Sequence, residues 1–229
     1  MNWNKLHLFE IDLIFTDLKN YQNLIEGFLS DKKVELEQSY DESELEKEAE
    51  KAGAEKDNYL HHLIDSFAER HQEISRQFPH NFRASFLVQI ISCIESELKK
   101  ICNHYGNHHE QKFTVDDLKG SDDLEKCKTY LKLFSDIDFN DFNKEWQFIK
   151  QCKFLRNKIV HNDSKIKRDN KNLINFAKKS ESIELINFHE PFFKNIEFVI
   201  IDNNLIDELL TVAKEFFNKF VTDGIKYSR

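Results

Sequence analysis

The apolar positions of this chain recur mainly at spacings of three and four, the period of a helix with one face turned inward. Within residues 82–104, Leu87, Ile91, Ile94, Leu98 and Ile101 follow a four-three-four-three spacing, and Phe86, Ile90 and Cys93 widen the stripe. This helix is expected at the centre of the fold. Residues 5–38 read as an earlier helix with two partial stripes, Leu6–Phe9–Leu13 and Leu24–Phe28, interrupted by Thr16 and Asn20. From Asp41 to Asp57 the chain is mostly charged, with high helix propensity and little to bury. That stretch predicts a solvated helical arm or hairpin tip running on to Gln77, with Pro79 as the break. Residues 1–78 are therefore read as an N-terminal helical extension and residues 79–229 as the main helical domain.

Beyond that helix, His104 to Glu110 contains Gly106 and reads as a loop. Ser121 is placed as an N-cap, with Asp122 and Asp123 in a first turn where the helix dipole favours acids. That helix runs to about Phe134, and Asp136 to Asp141 is read as a polar connection. The next helix spans about Phe142 to Val160 and buries Phe148, Cys152, Leu155 and Ile159. Asn162 and Asp163 end it. Residues 164–182 are basic and weakly patterned. Ile183–Ile186 and Ile196–Ile201 are β-branched runs on either side of Asn187–Asn195, which holds Pro191. They predict a small β-hairpin. A last helix from about Asn204 to Val221, capped by Asp202 or Asn203, turns Leu205, Leu209, Val212, Phe216 and Phe220 inward. The fold class is thus mainly α, a helical bundle with a long charged N-terminal helical extension and a small β-hairpin before the last helix.

Composition supports this picture and narrows the setting. A chain of 229 residues suits one domain, or one domain with an extension, and can bury a core without disulfides or metals. Cys93, Cys102, Cys127 and Cys152 form no CxxC pair and read as core or half-core residues of a reducing compartment. The N-terminus has no basic region followed by an apolar run, and no stretch approaches 18 apolar residues. A cytoplasmic protein with no membrane partner is expected. The net charge of −8 argues against a general nucleic-acid coat. Its distribution argues for a local anion site. Residues 144–179 hold eleven basic and three acidic residues, a net of +8, so the remainder is −16.

Within that island the segment Phe154-Leu155-Arg156-Asn157-Lys158-Ile159-Val160-His161-Asn162-Asp163 sets a cation, an amide and an imidazole near a helix C-terminus. Asn157 and His161 share a face, whereas Arg156 and His161 lie five residues apart, about 140° around the axis. Arg156 must therefore swing round, the helix must distort before His161, or a second copy must complete the site. These groups suit cleavage of a phosphodiester by the RNA's own 2′-OH. An imidazole transfers the protons, a guanidinium grips the phosphate with parallel donors, and Asn157 orients the imidazole or holds a turn. No metal or other cofactor is called for, because the attacking group belongs to the substrate. The plain alternative is a basic helix end that suits the dipole.

Glu95 lies on the otherwise apolar line of Ala84, Val88, Ile91, Leu98 and Cys102. A half-buried carboxylate there wants a cation, and Arg156 is the expected one, so Glu95 joins Arg156, Asn157 and His161 among the catalytic candidates by orienting the guanidinium. Lys150, Lys153, Lys158, Lys165, Lys167 and Arg168 either track an RNA backbone or form a solvated basic face. Cys102, His104, His108 and His109 are not read as a zinc site. Gly106 interrupts the run, and no second Cys/His pair has finger spacing.

The segment Arg156-Asn157-Lys158-Ile159-Val160-His161 resembles the Arg-x4–6-His motif of the HEPN superfamily, including the Asn that often follows the Arg. Two further stretches are similar to members of that family. One is the helix from Phe86 through Ile94-Glu95-Ser96-Glu97-Leu98 to Cys102. The other is Asp116-Asp117-Leu118-Lys119-Gly120 with Tyr130-Leu131. The likeness spans roughly residues 80–222. It implies an α-helical bundle that homodimerises and makes one composite RNA-cutting cleft from two motif helices. The products would carry 2′,3′-cyclic phosphate and 5′-hydroxyl ends. It also implies work as a toxin or phage-defence effector, with an antitoxin or a defence-complex partner. Some members carry a Tyr two residues after the His, which a partner nucleotidyltransferase modifies. Here that position is Asp163, so this control is not expected. A HEPN-like scaffold that binds RNA, nucleotide or protein without catalysis is the other expectation.

Overall fold

The stripe around Ile91 and Ile94 becomes the axis of the molecule. A computed structural model describes residues 3–51, 53–120, 122–135 and 137–224. Helix α4 (Phe78–His108) buries Leu87, Ile90, Ile91, Ile94 and Leu98 completely. Around it pack α1 (Trp3–Gln38), α5 (Asp123–Phe134), α6 (Asn143–Asn162) and α8 (Asn204–Lys219). Each such Leu or Ile contributes about 1.5–3 kcal/mol by leaving water. No helix among the described residues is long and apolar enough to cross a membrane.

Helix α1 forms where expected but turns its other face inward. His7, Ile11, Phe15, Leu18 and Gln22 are buried, whereas Leu6, Phe9, Leu13, Leu24 and Phe28 are exposed. Specific polar contacts decide the face. Gln22 Nε2 and Lys19 Nζ each donate to Asp207 Oδ1 on α8 at 2.6 Å. Arg83 on α4 grips Glu26 with two donors, at 2.6 and 2.7 Å, and donates to the Ile201 carbonyl at 2.6 Å. The first half of the expected extension therefore sits in the main core. Only α2 (Glu42–Glu50) and α3 (Lys56–Gln72) match the charged arm. Ala49 is the one buried residue of α2, and α3 buries none.

Pro79 does not break the chain. A π-turn, Glu73–Gln77, joins α3 to α4, with the Phe78 N–H bonded to the Glu73 carbonyl. Proline lacks a donor and crowds the preceding turn, and widening that turn by one residue accommodates both defects. Lys56–His108 is thus one continuous rod. Gly106 does not make a loop either, since α4 runs through it to His108. A Cβ at residue 106 would come within 2.5 Å of Tyr130 Oη, so the missing side chain lets α4 and α5 approach.

The expected cap Ser121, and Asp136, lie outside the described residues. Asp122 caps α5, its carboxylate accepting the Glu125 N–H at 3.0 Å. The connection after α5 is anchored rather than polar. Ile137, Phe139 and Phe142 are buried, and Phe142 meets the Phe220 ring at 5.3 Å. After α6 come β1 (Lys165–Lys167), α7 (Lys171–Lys179), β2 (Ile183–Ile186) and β3 (Asn195–Ile200). The expected hairpin β2–β3 is present, and β1 adds a third antiparallel strand, in the order β1-β3-β2. Ile166 faces Ile196 and Ile183 faces Ile200.

Candidate functional site

Helix α6 turns Trp146, Ile149, Cys152 and Leu155 into the core. That choice sends Arg156, Asn157, Lys158 and His161 to one flank. There they line an open groove of about 440 Å³, whose far wall is Glu95 of α4 and the start of α5 at Asp122 and Asp123. The helix stays regular through Asn162 and closes on Asp163, whose φ of 51° is left-handed. No distortion precedes His161. Arg156 and His161 reach the same groove without touching, and no hydrogen bond joins them among the described residues. Arg156 Nη1 donates to Asn157 Oδ1 at 3.2 Å, while its buried Nε has no hydrogen-bond partner. His161 is exposed.

The floor of the groove differs from expectation. Glu95 pairs with Lys153, not Arg156. Lys153 Nζ lies 2.5 Å from Glu95 Oε1 and 2.8 Å from Asp122 Oδ1, and its side chain is 6% exposed. Lys153 is thereby a buried brace among α4, α5 and α6, unavailable to a nucleic-acid backbone. Burial works against charge on Asp122. The hydrogen bonds from Lys153 and the Glu125 amide outweigh it, so the carboxyl sits below its usual range. Burial likewise disfavours the Lys153 cation, and the hydrogen bonds to Asp122 and Glu95 reverse this and hold the ammonium above its ordinary value.

The other expected cations divide. Arg168 is a loop clamp rather than an RNA contact. Its guanidinium donates to the carbonyls of Asn187, Phe188, Glu190 and Phe193. Lys150 pairs with Glu125 at 2.7 Å and Lys165 with Asp163 at 2.9 Å, both near the surface. Lys158, in the groove, and Lys167, exposed on β1, have no ion-pair partner among the described residues.

A second groove, of about 490 Å³, also reaches the end of α6 through Ile159 and Asp163. Sequence reading missed it, because it opens beside the π-turn, whose only signal is Pro79. Its lining includes Arg76, Asn81 and His80. His80 Nδ1 accepts the Ile200 N–H at 3.1 Å, which leaves the ring proton on Nε2. This groove is the larger and also holds a guanidinium, an amide and an imidazole, but Arg76 is paired with Glu184 at 2.9 Å and the His80 ring is tied to the Ile200 N–H.

The cysteines are free and packed. Burial pushes the Cys93 thiol up to about 11 and that of Cys152 higher still. No group of three His, Cys, Asp or Glu among the described residues is placed to hold a metal ion. No family model, no curated protein and no solved structure matches the chain. The HEPN resemblance therefore stands on its own motif residues.

Proposed function

We propose that this protein is a metal-independent endoribonuclease of HEPN type, acting as a homodimer in toxin or phage-defence settings. One observation supports the reading above the others: Arg156, Asn157, Lys158 and His161 line a single open groove. In this mechanism the RNA 2′-OH attacks the adjacent phosphorus, and His161 of one copy removes its proton. The bond from phosphorus to the 5′-oxygen breaks, and that oxygen takes a proton from the imidazole of the other copy. Arg156, aided by Lys158, holds the non-bridging oxygens as their charge grows. Asn157 holds the Arg156 guanidinium, while the Glu95–Lys153–Asp122 brace fixes the helix that presents them. The products are a 2′,3′-cyclic phosphate and a 5′-hydroxyl.

The test is incubation of the purified protein with total RNA in EDTA, beside His161→Ala and Arg156→Ala. Wild type cuts and leaves cyclic-phosphate ends, and each variant loses at least about 100-fold, the scale of a general acid–base or an oxyanion-stabilising group. Equal cutting by all three removes these residues from the mechanism. A stable protein that binds RNA and never cuts it favours the non-catalytic scaffold.

A further inference from the structure

The loop between β2 and β3 is clamped by a guanidinium from outside it. Arg168, just past β1, donates Nε to the Phe193 carbonyl at 2.6 Å and Nη1 to that of Phe188 at 2.9 Å. Nη2 donates to the Asn187 carbonyl at 2.8 Å and also meets that of Glu190. Asn187 enters the loop with a left-handed φ of 58°. Lys178 of α7 sits 3.7 Å from the Phe188 ring centroid, a cation–π contact that holds the loop from its other side. Pro191 restricts the tip.

What this scaffold displays is Phe192, 92% exposed, the most exposed large apolar side chain among the described residues. Here the backbone on both sides is fixed, so the ring stays in water. Its surroundings are basic. Exposed Lys194 follows Phe193, and exposed Lys167 ends β1 opposite Asn195. Residues 164–194 carry seven basic and four acidic residues. A fixed ring offers a stacking face to any base, and the ammonium groups beside it suit the flanking phosphates. The cations favour a polyanion over an apolar protein partner. Asp163, at the end of the groove helix, and Arg168 are five residues apart, about 16 Å of extended chain. The clamp of the loop therefore lies at most that far along the chain from the end of the groove helix.

We propose that Phe192 is a stacking platform for an unpaired base of the RNA, with Lys167 and Lys194 on adjacent phosphates. The RNA class rests on the groove reading above, and the Phe192 platform is the new element; a base within a duplex has no free face to offer it.

The experiment uses the His161→Ala protein, which leaves RNA uncut. Its affinity is measured for a labelled single-stranded 12-mer and for a duplex of the same sequence. Phe192→Ala should weaken single-strand binding by roughly 5- to 150-fold while leaving duplex binding unchanged, and Phe192→Trp should retain both. Lys167→Gln with Lys194→Gln should lower the salt slope for single strands by about 1.4, the value for two phosphates. Equal single-strand binding with and without the Phe192 ring overturns the stacking site and leaves the groove reading intact. So does a Phe192→Ala protein whose native mass changes while its RNA affinity does not, which identifies the loop as a protein contact. Loss of cutting on Arg156→Ala remains the separate test of the groove.

Discussion

Replacing Lys153 by Met should cost folding stability before it costs anything else. The side chain is 6% exposed, and it separates Glu95, 16% exposed, from Asp122, 34% exposed. Methionine fills a similar volume but leaves the two carboxylates facing each other without a cation. Removing one partner of a fully buried pair costs about 3–5 kcal/mol, and of an exposed pair about 0–1 kcal/mol. Both acids keep some water here, so the expected loss is about 2–3 kcal/mol, between those limits. At about 2–4 °C per kcal/mol for a chain of this size, the Tm falls by about 5–10 °C.

The pH dependence sharpens the test. Asp122 is held below its ordinary 3.8, so its contribution is full above that value and disappears as the pH falls through the lowered one. Lys153 is held above its ordinary 10.5, so its share is full below that value and disappears as the pH rises through the raised one. The gap between wild type and variant should therefore be widest near neutrality and should shrink at both extremes. Urea unfolding at pH 7 and at about pH 2.5 measures it. Equal midpoints at pH 7, or an undiminished gap in acid, refutes the brace. A Lys153→Met protein of normal stability that binds RNA poorly would return Lys153 to the phosphate contacts.

Two further outcomes follow from the packing. Gly106→Ala gains about 1 kcal/mol of helix propensity but drives a methyl to within 2.5 Å of Tyr130 Oη. Tyr130 is buried, so a net loss of about 1–3 kcal/mol is expected, and Tyr130→Phe in the same chain should recover most of it. Wild-type stability of the single variant refutes the close approach. His7 is buried beside Glu97, and burial holds its pKa below 6.5 despite the pull of Glu97 and Glu10. The unfolded chain therefore takes up this proton first, and stability should fall as the pH drops below 6.5. Urea midpoints at pH 7.5 and 5.5 should separate less in His7→Gln than in wild type. His80 and His104, also held low, supply the remaining slope.

The central and last helices were legible because each carries a dense apolar stripe, and the hairpin because two β-branched runs flank Asn187–Asn195. Helix α1 was not, because it carries apolar residues on two faces. Its true inner line, Ile11-Phe15-Leu18, begins and ends in buried polar residues, His7 beside Glu97 of α4 and Gln22 bonded to Asp207 of α8. Pro79 and Gly106 misled for a shared reason: their usual meaning was overridden by a π-turn in one case and by Tyr130 in the other. Strand β1 offers Lys-Ile-Lys, too short for alternation to register. At the site, the motif residues could be read from the chain and the brace could not. One signal was present, since Lys153 continues the Trp146–Ile149 line by four residues, a cation on a buried stripe that required an acid opposite. Its acids come from α4 and the start of α5, which only the packing brings together.

The unbroken rod from Lys56 to His108 sets how the molecule moves through water. At about 1.5 Å per residue its contour is roughly 80 Å, whereas a spherical chain of this length would be about 45 Å across. Friction rises with such elongation. A single copy should tumble slowly and elute from a sizing column ahead of a round protein of 27.4 kDa. By elution volume alone one chain can pass for two, so counting the subunits calls for light scattering, which weighs a particle irrespective of its outline.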